Sequence, residues 1–221
     1  MSNSTAALKP KVTVVIPALN ESGTIGRIVE SVKPFADEVV VVDDGSVDAT
    51  AEIARDFGAQ VVSHAKNEGY DRSIEDGFRH AVGRGAEIVV TFDADGQHLA
   101  DNIPMLIDPI LKNEADLVVG LRPYRARVTE HLFAWVSKMK GGVDDPLCGL
   151  KAYRGTMYQK IGYFDKRQSI GTELMFTAKT KGFRIEQRRI ALNRRKDTPR
   201  FGRTLAANFK ILKAIFKTLP L

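Results

Sequence analysis

The segment TFDADGQH, residues 91–98, places two carboxylates one residue apart directly after an apolar run. In an extended chain Asp93 and Asp95 point to the same side, so they can converge on one cation or divide between a cation and sugar hydroxyls. Gln97, two residues further on, can add a neutral oxygen. Oxygen ligands of this kind, together with phosphate oxygens, suit Mg²⁺ or Mn²⁺. The alternative for so short a pattern is a solvated turn.

Short apolar runs alternate with helical patterns on both sides of these acids. Five runs rich in Val or Ile predict buried strands at 12–16, 38–42, 60–63, 87–92 and 116–120. Helix-spaced apolar positions lie between them at 21–32, 48–57, 72–82 and 102–112. Asp48 is predicted as the N-cap of the second helix and Gly58 as its C-terminal glycine. The alternation predicts a doubly wound α/β fold, with a mostly parallel sheet and helices on both faces.

Polar residues gather where the predicted strands end. The five strands lead into PALNES, DDGS, HAKNEG, DADGQH and GLRPYR. Ligands of open α/β sheets bind beyond the carboxyl ends of the strands, so these segments predict a binding crevice. Neither G-x-G-x-x-G nor G-x-x-x-x-G-K-[ST] occurs, which argues against a dinucleotide fold or a P-loop. A divalent metal on carboxylates is then the expected means of holding phosphate.

Composition excludes other classes of protein. The 221 residues, 43% of them hydrophobic, suffice for one domain, and the single cysteine, Cys148, excludes an internal disulfide. No stretch approaches the ~20 apolar residues of a membrane span and the N-terminus lacks an apolar leader, so a cytoplasmic protein is expected. Residues 181–221 hold 12 Lys and Arg against 2 Asp and Glu, a net charge of +10, which leaves −4 for the rest. Such a basic tail can contact the phosphates of nucleotides, nucleic acid or anionic lipid.

Six motifs together resemble those of inverting family 2 glycosyltransferases with the GT-A fold. They are VTVVIPALNE at 12–21, VVVVDDGSVDAT at 39–50, NEG at 67–69, TFDADGQH at 91–98, VVGLR at 118–122 and DDPLCGLKAYR at 144–154. Within that family the chain is most similar to polyprenyl-phosphate (dolichol-phosphate-type) mannosyl- and glucosyltransferases. The resemblance implies metal-dependent, inverting transfer of a hexose from a GDP- or UDP-sugar to a polyprenyl phosphate.

The chain is expected to divide into a catalytic domain and a C-terminal helix. A GT-A catalytic domain is expected over 1–202, with a nucleotide-sugar half at 11–122 and an acceptor half at 123–202. A basic amphipathic helix is expected over 203–221.

On the donor side, the resemblance implies a nucleotide-binding set and a metal-binding set. The nucleotide set comprises Pro17, Ala18, Asn20, Glu21, Asp43, Asp44 and Asp93. The metal set, for Mg²⁺ or Mn²⁺, comprises Asp93, Asp95 and Gln97. After NEG, Tyr70 and Asp71 stand where the family usually has Lys-Gly.

For catalysis and the acceptor, the resemblance implies a second set of residues. Arg122 corresponds to an Arg on the donor's phosphates or sugar, Asp145 to the acid of the acceptor segment, and Lys151, Arg200 and Arg203 to phosphate or acceptor contacts. If the acceptor is a hydroxyl of a saccharide or protein, Asp145 must take its proton. A polyprenyl phosphate is already ionised, since its second pKa is ~6, and Asp145 would then position the acceptor or the sugar.

The tail carries an amphipathic pattern. Leu205, Phe209, Leu212, Phe216 and Leu219 share one predicted helical face, and Arg203, Lys210, Lys213 and Lys217 lie on another. Such a helix can lie at the cytoplasmic face of a membrane. Alternatively it docks on the protein's own core or on a partner subunit of a homo-oligomer.

Two other classes of function share some of these sequence features. A receiver-like signalling domain also carries acids at strand ends, but the DDGS acids end the second strand and the chain extends ~100 residues past a receiver's usual length. The basic tail lacks interleaved aromatics and a groove-reading motif, so no nucleic-acid partner is expected. His64 has no ligand-like spacing. Trp135 could cover a sugar or lipid together with Phe133, and core packing is the default expectation for it.

Overall fold

The computed structural model describes residues 9–124, 127–193 and 204–218. In these residues seven strands form one sheet: β1 (Val12–Ala18), β2 (Glu38–Asp43), β3 (Gln60–Ser63), β4 (Ile88–Thr91), β5 (Leu117–Leu121), β6 (Lys151–Arg154) and β7 (Ile185–Arg189). The strand order is β3-β2-β1-β4-β6-β5-β7. β6 runs antiparallel between β4 and β5, and the other neighbouring strands are parallel. The predicted mostly parallel α/β sheet is confirmed.

Helices cover both faces of the sheet, as predicted. In the described ranges these are α1 (Ile25–Val32), α2 (Thr50–Asp56), α3 (Tyr70–Gly83), α4 (Ile103–Leu111), α5 (Val128–Gly141), α6 (Gly155–Ile161), α7 (Glu173–Thr180) and α8 (Thr204–Thr218). α1, α2 and α4 contribute to the core on one face, and α3 and α5 to α8 contribute to the core on the other. No helix among the described residues has the length and apolar character needed to cross a bilayer.

Strands β1, β2, β4 and β5 are mainly apolar because each faces two cores. In β1, Val14 and Ile16 pack into one core and Val15 into the other. A strand covered on both faces needs no polar alternation, and within β1 the one polar side chain is that of Thr13. The polar segments of these four strands therefore follow at their carboxyl ends.

Two details at α2 test the predicted helix ends. Gly58 follows the C-cap with φ +84°, the left-handed conformation expected there, so that prediction is confirmed. The N-cap is Ala49, so the prediction of Asp48 as N-cap is wrong by one residue. The Asp48 carboxylate nonetheless accepts hydrogen bonds from the amide and the hydroxyl of Thr50, because a short acid can bond the backbone two residues on.

α8 packs on the protein's own core, but not by the face that the sequence predicts. Its buried residues are Ile211, Ala214, Ile215 and Thr218. Phe209 and Phe216, predicted on the apolar face, are 69% and 71% exposed. The register is set by α5, since Thr129 Oγ1 donates to Asn208 Oδ1 at 2.9 Å and Lys140 Nζ to the Thr218 carbonyl at 3.0 Å. The side chains of Leu205 and Leu219 lie outside the described residues.

Candidate functional site

A cavity of about 370 Å³ opens beside the carboxyl ends of β4 and β5. We call it the strand-end cavity. Its polar lining includes Asp93, Asp95, Gln97, His98 and Arg122. The structure thus brings the three predicted metal residues and the predicted phosphate-contacting Arg together. His98 is a cavity residue that the motif alone did not assign.

Asp93 is held in place from two sides. His98 Nε2 lies 3.3 Å from Asp93 Oδ2, and the His98 ring packs edge-on against Phe92. On the other side, a Cβ added to Gly149 would lie 2.0 Å from Asp93 Oδ2, so only glycine permits this approach. Burial would raise the pKa of Asp93, but the His98 hydrogen bond and the charges of His98, Arg122 and Lys151 together hold it below its ordinary value. Asp93 is therefore an anion at neutral pH.

Asp95 and Gln97 belong to one turn. Asp95 Oδ1 accepts a hydrogen bond from the Gln97 amide at 3.0 Å, and the Gln97 side-chain amide donates to Asp95 Oδ2. Gly96, between them, has φ +75°. In the part of the chain that the structure describes, no group of three His, Cys, Asp or Glu side chains forms a complete cation cage. A cation at this turn would complete its coordination with oxygens of a ligand and water.

Arg122 and Asp145 form a buried bidentate ion pair. Arg122 Nε and one terminal guanidinium nitrogen donate to the two carboxylate oxygens of Asp145, each at 2.8 Å. The same terminal nitrogen also donates to Glu130 at 3.1 Å. Burial would lower the pKa of Arg122, but the Asp145 partner raises it above its ordinary value. Arg122 is thus a fixed cation on the cavity wall, and Asp145, 1% exposed, has both oxygens engaged.

Lys151 and Cys148 lie beneath the cavity. Lys151 Nζ donates to the Pro146 carbonyl at 2.8 Å, and the residue is buried in β6. Burial lowers the pKa of Lys151 and raises that of the Cys148 thiol to about 12. A thiol of this kind is suited to packing. Lys151 is not among the residues that line the cavity, although its charge acts on Asp93. Its predicted phosphate contact stays a prediction.

The predicted nucleotide residues occupy the ends of β1 and β2. Pro17 and Ala18 are the last residues of β1, and Asp43 is the last residue of β2. The loops that follow these strands hold Asn20, Glu21 and Asp44. Asn20 Oδ1 accepts a hydrogen bond from the Val47 backbone amide at 2.9 Å, and the backbone amide of Asn20 donates to Ser46 Oγ at 2.9 Å. These hydrogen bonds join the two loops into one rim.

Asp44 is fixed by a network that sequence reasoning missed. Its carboxylate accepts from the amides of Glu68 and Gly69, at 2.8 and 2.9 Å. His64 Nδ1 lies 2.8 Å from the same carboxylate, and His64 Nε2 lies 3.2 Å from Asp76. The position of His64 directly after β3, in HAKNEG, was the signal that could have found it. His64 thus orients an acid predicted to bind the nucleotide.

The predicted site residues therefore form two groups at one edge of the sheet. One group lines the strand-end cavity, and the other forms the β1–β2 rim. Asp145 is paired with the cavity residue Arg122, and neither Asp145 nor Lys151 is part of the lining. Arg200 and Arg203 lie outside the described residues, so their predicted phosphate contacts stay predictions.

The chain is similar to known proteins over most of its length. The sequence model of glycosyl transferase family 2 matches residues 13–197. An uncharacterised protein of Methanocaldococcus jannaschii is 30% identical over 219 residues, covering 92% of this chain and 90% of that protein. The UDP-N-acetylglucosamine–dolichyl-phosphate N-acetylglucosaminyltransferase of Methanococcus voltae is 30% identical, over 63% of this chain and 68% of that enzyme. The dolichol-phosphate mannosyltransferase of Pyrococcus furiosus is 31% identical, over 74% of this chain and 49% of that enzyme.

The fold is similar to solved structures of glucosyl-3-phosphoglycerate synthase from Mycobacterium tuberculosis. The complex of that enzyme with UDP has a TM-score of 0.72 and 25% identity, covering 94% of this chain and 80% of that chain. Its complex with Mn²⁺ and UDP-glucose has a TM-score of 0.70 and 25% identity, covering 86% and 73%. These likenesses confirm the GT-A type of the fold.

Proposed function

The chain belongs to glycosyl transferase family 2, and on that premise we propose metal-dependent, inverting transfer of a hexose from a GDP- or UDP-sugar to a polyprenyl phosphate. That it is a glycosyltransferase follows from the family itself. The domain boundaries that accompany this proposal are a catalytic domain over 1–202, with a donor half at 11–122 and an acceptor half at 123–202, and the terminal helix over 203–221.

The state of Asp145 is the observation that carries the choice of acceptor. A general base must offer a free carboxylate oxygen to the proton that it removes. Both oxygens of Asp145 are held by Arg122 at 2.8 Å, in a nearly solvent-free position. A phosphate acceptor needs no such base, because with a second pKa of ~6 it is already a dianion at neutral pH. The pair therefore favours an ionised acceptor.

The donor side fits a hard divalent cation, either Mg²⁺ or Mn²⁺. Asp93 and Asp95 line one cavity, and Asp93 is kept ionised by its surroundings. These two carboxylates, with Gln97 beside them, would hold the ion. When bound, such a cation supplies charge neutralisation for the nucleoside diphosphate that leaves. The complex of a related fold with Mn²⁺ and UDP-glucose supports this assignment.

The remaining chemistry falls to side chains of this chain. Arg122 would stabilise the negative charge that develops on the leaving diphosphate, since it is a preoriented cation on the same cavity. Asp43 and Asp44 would bind the base and ribose from the β1–β2 rim. Asp145 would keep Arg122 in place. A single displacement at the sugar carbon by the acceptor phosphate then inverts its configuration.

A second candidate is transfer to a saccharide or protein hydroxyl, with Asp145 as the base. It requires Asp145 to release Arg122 when the acceptor binds. The ion pair with Glu130, at 3.1 Å, is the contact that would retain Arg122 in that case.

We also propose that the protein contacts the cytoplasmic face of a membrane through α5 and α8. Both helices expose large apolar side chains: Val128, Leu132, Trp135 and Met139 on α5, and Phe209 and Phe216 on α8. The expectation that Trp135 packs in the core is wrong, because it is 60% exposed. α8 has no Asp or Glu, so basic side chains accompany this apolar surface. Apolar side chains beside lysines suit an anionic lipid interface.

The proposed reaction is tested by following sugar transfer from labelled UDP-glucose and GDP-mannose in the presence of Mn²⁺. The acceptors are a polyprenyl phosphate and the matching polyprenyl alcohol. We expect transfer to the phosphate alone, lost in Asp95→Ala and retained in Asp101→Ala, an exposed aspartate outside the cavity. Transfer to the alcohol at a comparable rate would contradict the proposal.

A further inference from the structure

A second and larger cavity, of about 800 Å³, lies between α3, α8 and the segment 162–170. We call it the basic cavity. The cationic side chains in its lining are Arg72, Arg79, Lys166, Lys210, Lys213 and Lys217. Ile170 lines both this cavity and the strand-end cavity, so the two are neighbours.

The two arginines of the basic cavity are matched by carboxylates close to them in the chain. Arg72 Nε lies 2.7 Å from an oxygen of Asp76 and 3.5 Å from one of Glu68. A terminal nitrogen of Arg79 lies 3.4 Å from Glu75. These ion pairs neutralise the arginines within α3 and its approach, so the arginines are not the groups that call for a ligand.

The two remaining acids of the lining do little to neutralise the lysines. Asp165 accepts hydrogen bonds from backbone amides between residues 167 and 171 and from the Ser169 hydroxyl. Burial, together with the charge of Asp165, raises the pKa of Asp71 to about 7. Asp71 therefore carries only part of a negative charge at neutral pH.

Three lysines of the basic cavity have no such match. Within the described part of the chain, no carboxylate forms an ion pair with Lys166, Lys213 or Lys217. Lys217 Nζ lies 3.5 Å from Gln168 Oε1, and Lys166 lies over the Tyr163 ring at 4.2 Å. Ammonium groups that converge on one cavity repel one another unless an anion lies between them. The cavity is therefore suited to an anionic ligand.

The spacing of residues on α8 places this cavity beside an exposed apolar strip. Lys210, Lys213 and Lys217 follow one another at spacings of three and four residues, so they share one side of the helix. Phe209 and Phe216, both exposed, are seven residues apart and form the neighbouring strip. At about 100° per residue, the lysines lie between the two phenylalanines and the buried face of the helix. A bilayer that receives the phenylalanines would bring its headgroups to the lysines.

A firmly held wall separates the basic cavity from the donor side. Gln168, Ile170 and Gly171 have φ values between +56° and +67°, which is a costly conformation for a β-branched residue such as Ile170. Asp165 holds the segment, and so does Glu173, whose Oε2 accepts from the amides of residues 166–167 at 2.7 and 2.8 Å. A ligand of the basic cavity thus stays apart from the sugar that is transferred, so it is not a reactant.

We propose that the basic cavity binds the headgroup phosphate of an anionic phospholipid that is a component of the membrane and not a substrate. Lys213 and Lys217 are its principal cations, because ammonium groups bind phosphate oxygens through charge-assisted hydrogen bonds. The acyl chains of this lipid lie against Phe209 and Phe216. The proposal rests on the proposed membrane contact and adds to it a selective headgroup site, which holds the neighbouring strand-end cavity close to the bilayer.

The test is calorimetric titration of the whole protein with soluble lipids, in the absence of a bilayer. The probes are dihexanoyl phosphatidylglycerol, which is anionic, dihexanoyl phosphatidylcholine, which is zwitterionic, and inorganic phosphate. One variant carries Lys213→Gln and Lys217→Gln. The control carries Lys160→Gln and Lys179→Gln, which remove the same charge from exposed helix ends that line neither cavity.

We expect wild type and the control to bind the anionic lipid more tightly than either other probe. In the Lys213→Gln, Lys217→Gln protein, the affinity for the anionic lipid should fall about fivefold for each lysine replaced. Equal binding of the two lipids, unchanged affinity in this variant, or an equal loss in the control would overturn the proposal. Inorganic phosphate bound as tightly as the anionic lipid would also overturn it, since the site would then take a free anion.

Sedimentation with vesicles that contain phosphatidylglycerol separates this proposal from the membrane contact on which it rests. The same two proteins are compared with wild type and with the Phe209→Ser, Phe216→Ser protein. If vesicle binding is undiminished in the phenylalanine variant while the soluble anionic lipid still needs the lysines, the headgroup site is supported and the membrane contact through α8 is wrong. If vesicle binding needs the phenylalanines but the lipid titration does not depend on the lysines, the contact is supported and the headgroup site is wrong.

Discussion

The Asp145→Asn variant removes one charge from a buried ion pair while preserving the size of the side chain. Asp145 holds Arg122 by two contacts of 2.8 Å and is almost fully buried. Removing one partner of such a pair costs roughly 3–5 kcal/mol, because the other charge stays buried. Arg122 keeps Glu130 at 3.1 Å, so we expect the lower end, a loss of about 3 kcal/mol of unfolding free energy. For a chain of this size that is a fall in Tm of roughly 6–12 °C.

The assay is the pH dependence of kcat/KM with a polyprenyl phosphate acceptor, measured well below both values of Tm. If Asp145 positions Arg122, the variant keeps the shape of the wild-type profile with a lower plateau. Its acid limb, near pH ~6, then belongs to the acceptor phosphate. Asp144→Asn is the matched control, since Asp144 forms a half-exposed ion pair with Lys138 worth about 0–1 kcal/mol.

One result would refute this reasoning. If Asp145→Asn keeps wild-type stability but loses about 10²–10⁴ in rate together with the acid limb, Asp145 is the general base. The hydroxyl-acceptor mechanism would then replace the phosphate one.

Three other perturbations follow from single contacts. Gly149→Ala would place a Cβ 2.0 Å from Asp93 Oδ2, so urea unfolding should show a loss of about 1–3 kcal/mol in the free energy of unfolding. Titration should also show a weaker Mn²⁺-dependent affinity for the nucleotide. An unchanged affinity would contradict the role of Asp93. Because the pKa of Asp71 rises from 3.8 to about 7 on folding, its contribution to stability is lost as pH rises between those values. The stability of Asp71→Asn relative to wild type should therefore rise between pH 4 and pH 8, by about 4 kcal/mol at most, when urea unfolding of both proteins is followed across this range. If the free energy of unfolding has the same pH dependence in the two proteins, this prediction is wrong. The double variant Phe209→Ser, Phe216→Ser should sediment less with anionic vesicles than wild type does. Its Tm should not fall, since both side chains are exposed. Undiminished binding to the vesicles would argue against α8 as a membrane contact.

The donor side of the fold was predictable because its signals are local. Each strand from β1 to β5 is a short, Val-rich run that ends in a polar segment, and the two cores that these strands enter explain why so few polar residues interrupt them. β7 carries Glu186, Gln187, Arg188 and Arg189, so it lacks the apolar signal that identifies a strand. β6 is only four residues long and is inserted antiparallel, which no local pattern specifies.

The contacts that define the site are long-range, and the sequence could not supply them. Arg122 and Asp145 are 23 residues apart, and Gly149 reaches Asp93 only because β6 pairs with β4. For α8 the sequence offers two apolar faces, and only packing against α5 decides which of them is buried. Motif spacing therefore identified the acids but not their partners.

The central claim is a nucleotide–metal site on the TFDADGQH turn, and thermal unfolding tests it most directly. Wild type, Asp95→Ala and Asp101→Ala would each be measured with UDP and with GDP, in the presence and absence of Mn²⁺. A ligand at about 100 times its Kd stabilises the folded state by about 2.7 kcal/mol, which is readily seen. We predict that one nucleotide raises Tm only with Mn²⁺, in wild type and Asp101→Ala but not in Asp95→Ala. Metal-dependent stabilisation that persists in Asp95→Ala, or is absent from wild type with both nucleotides, would contradict the account.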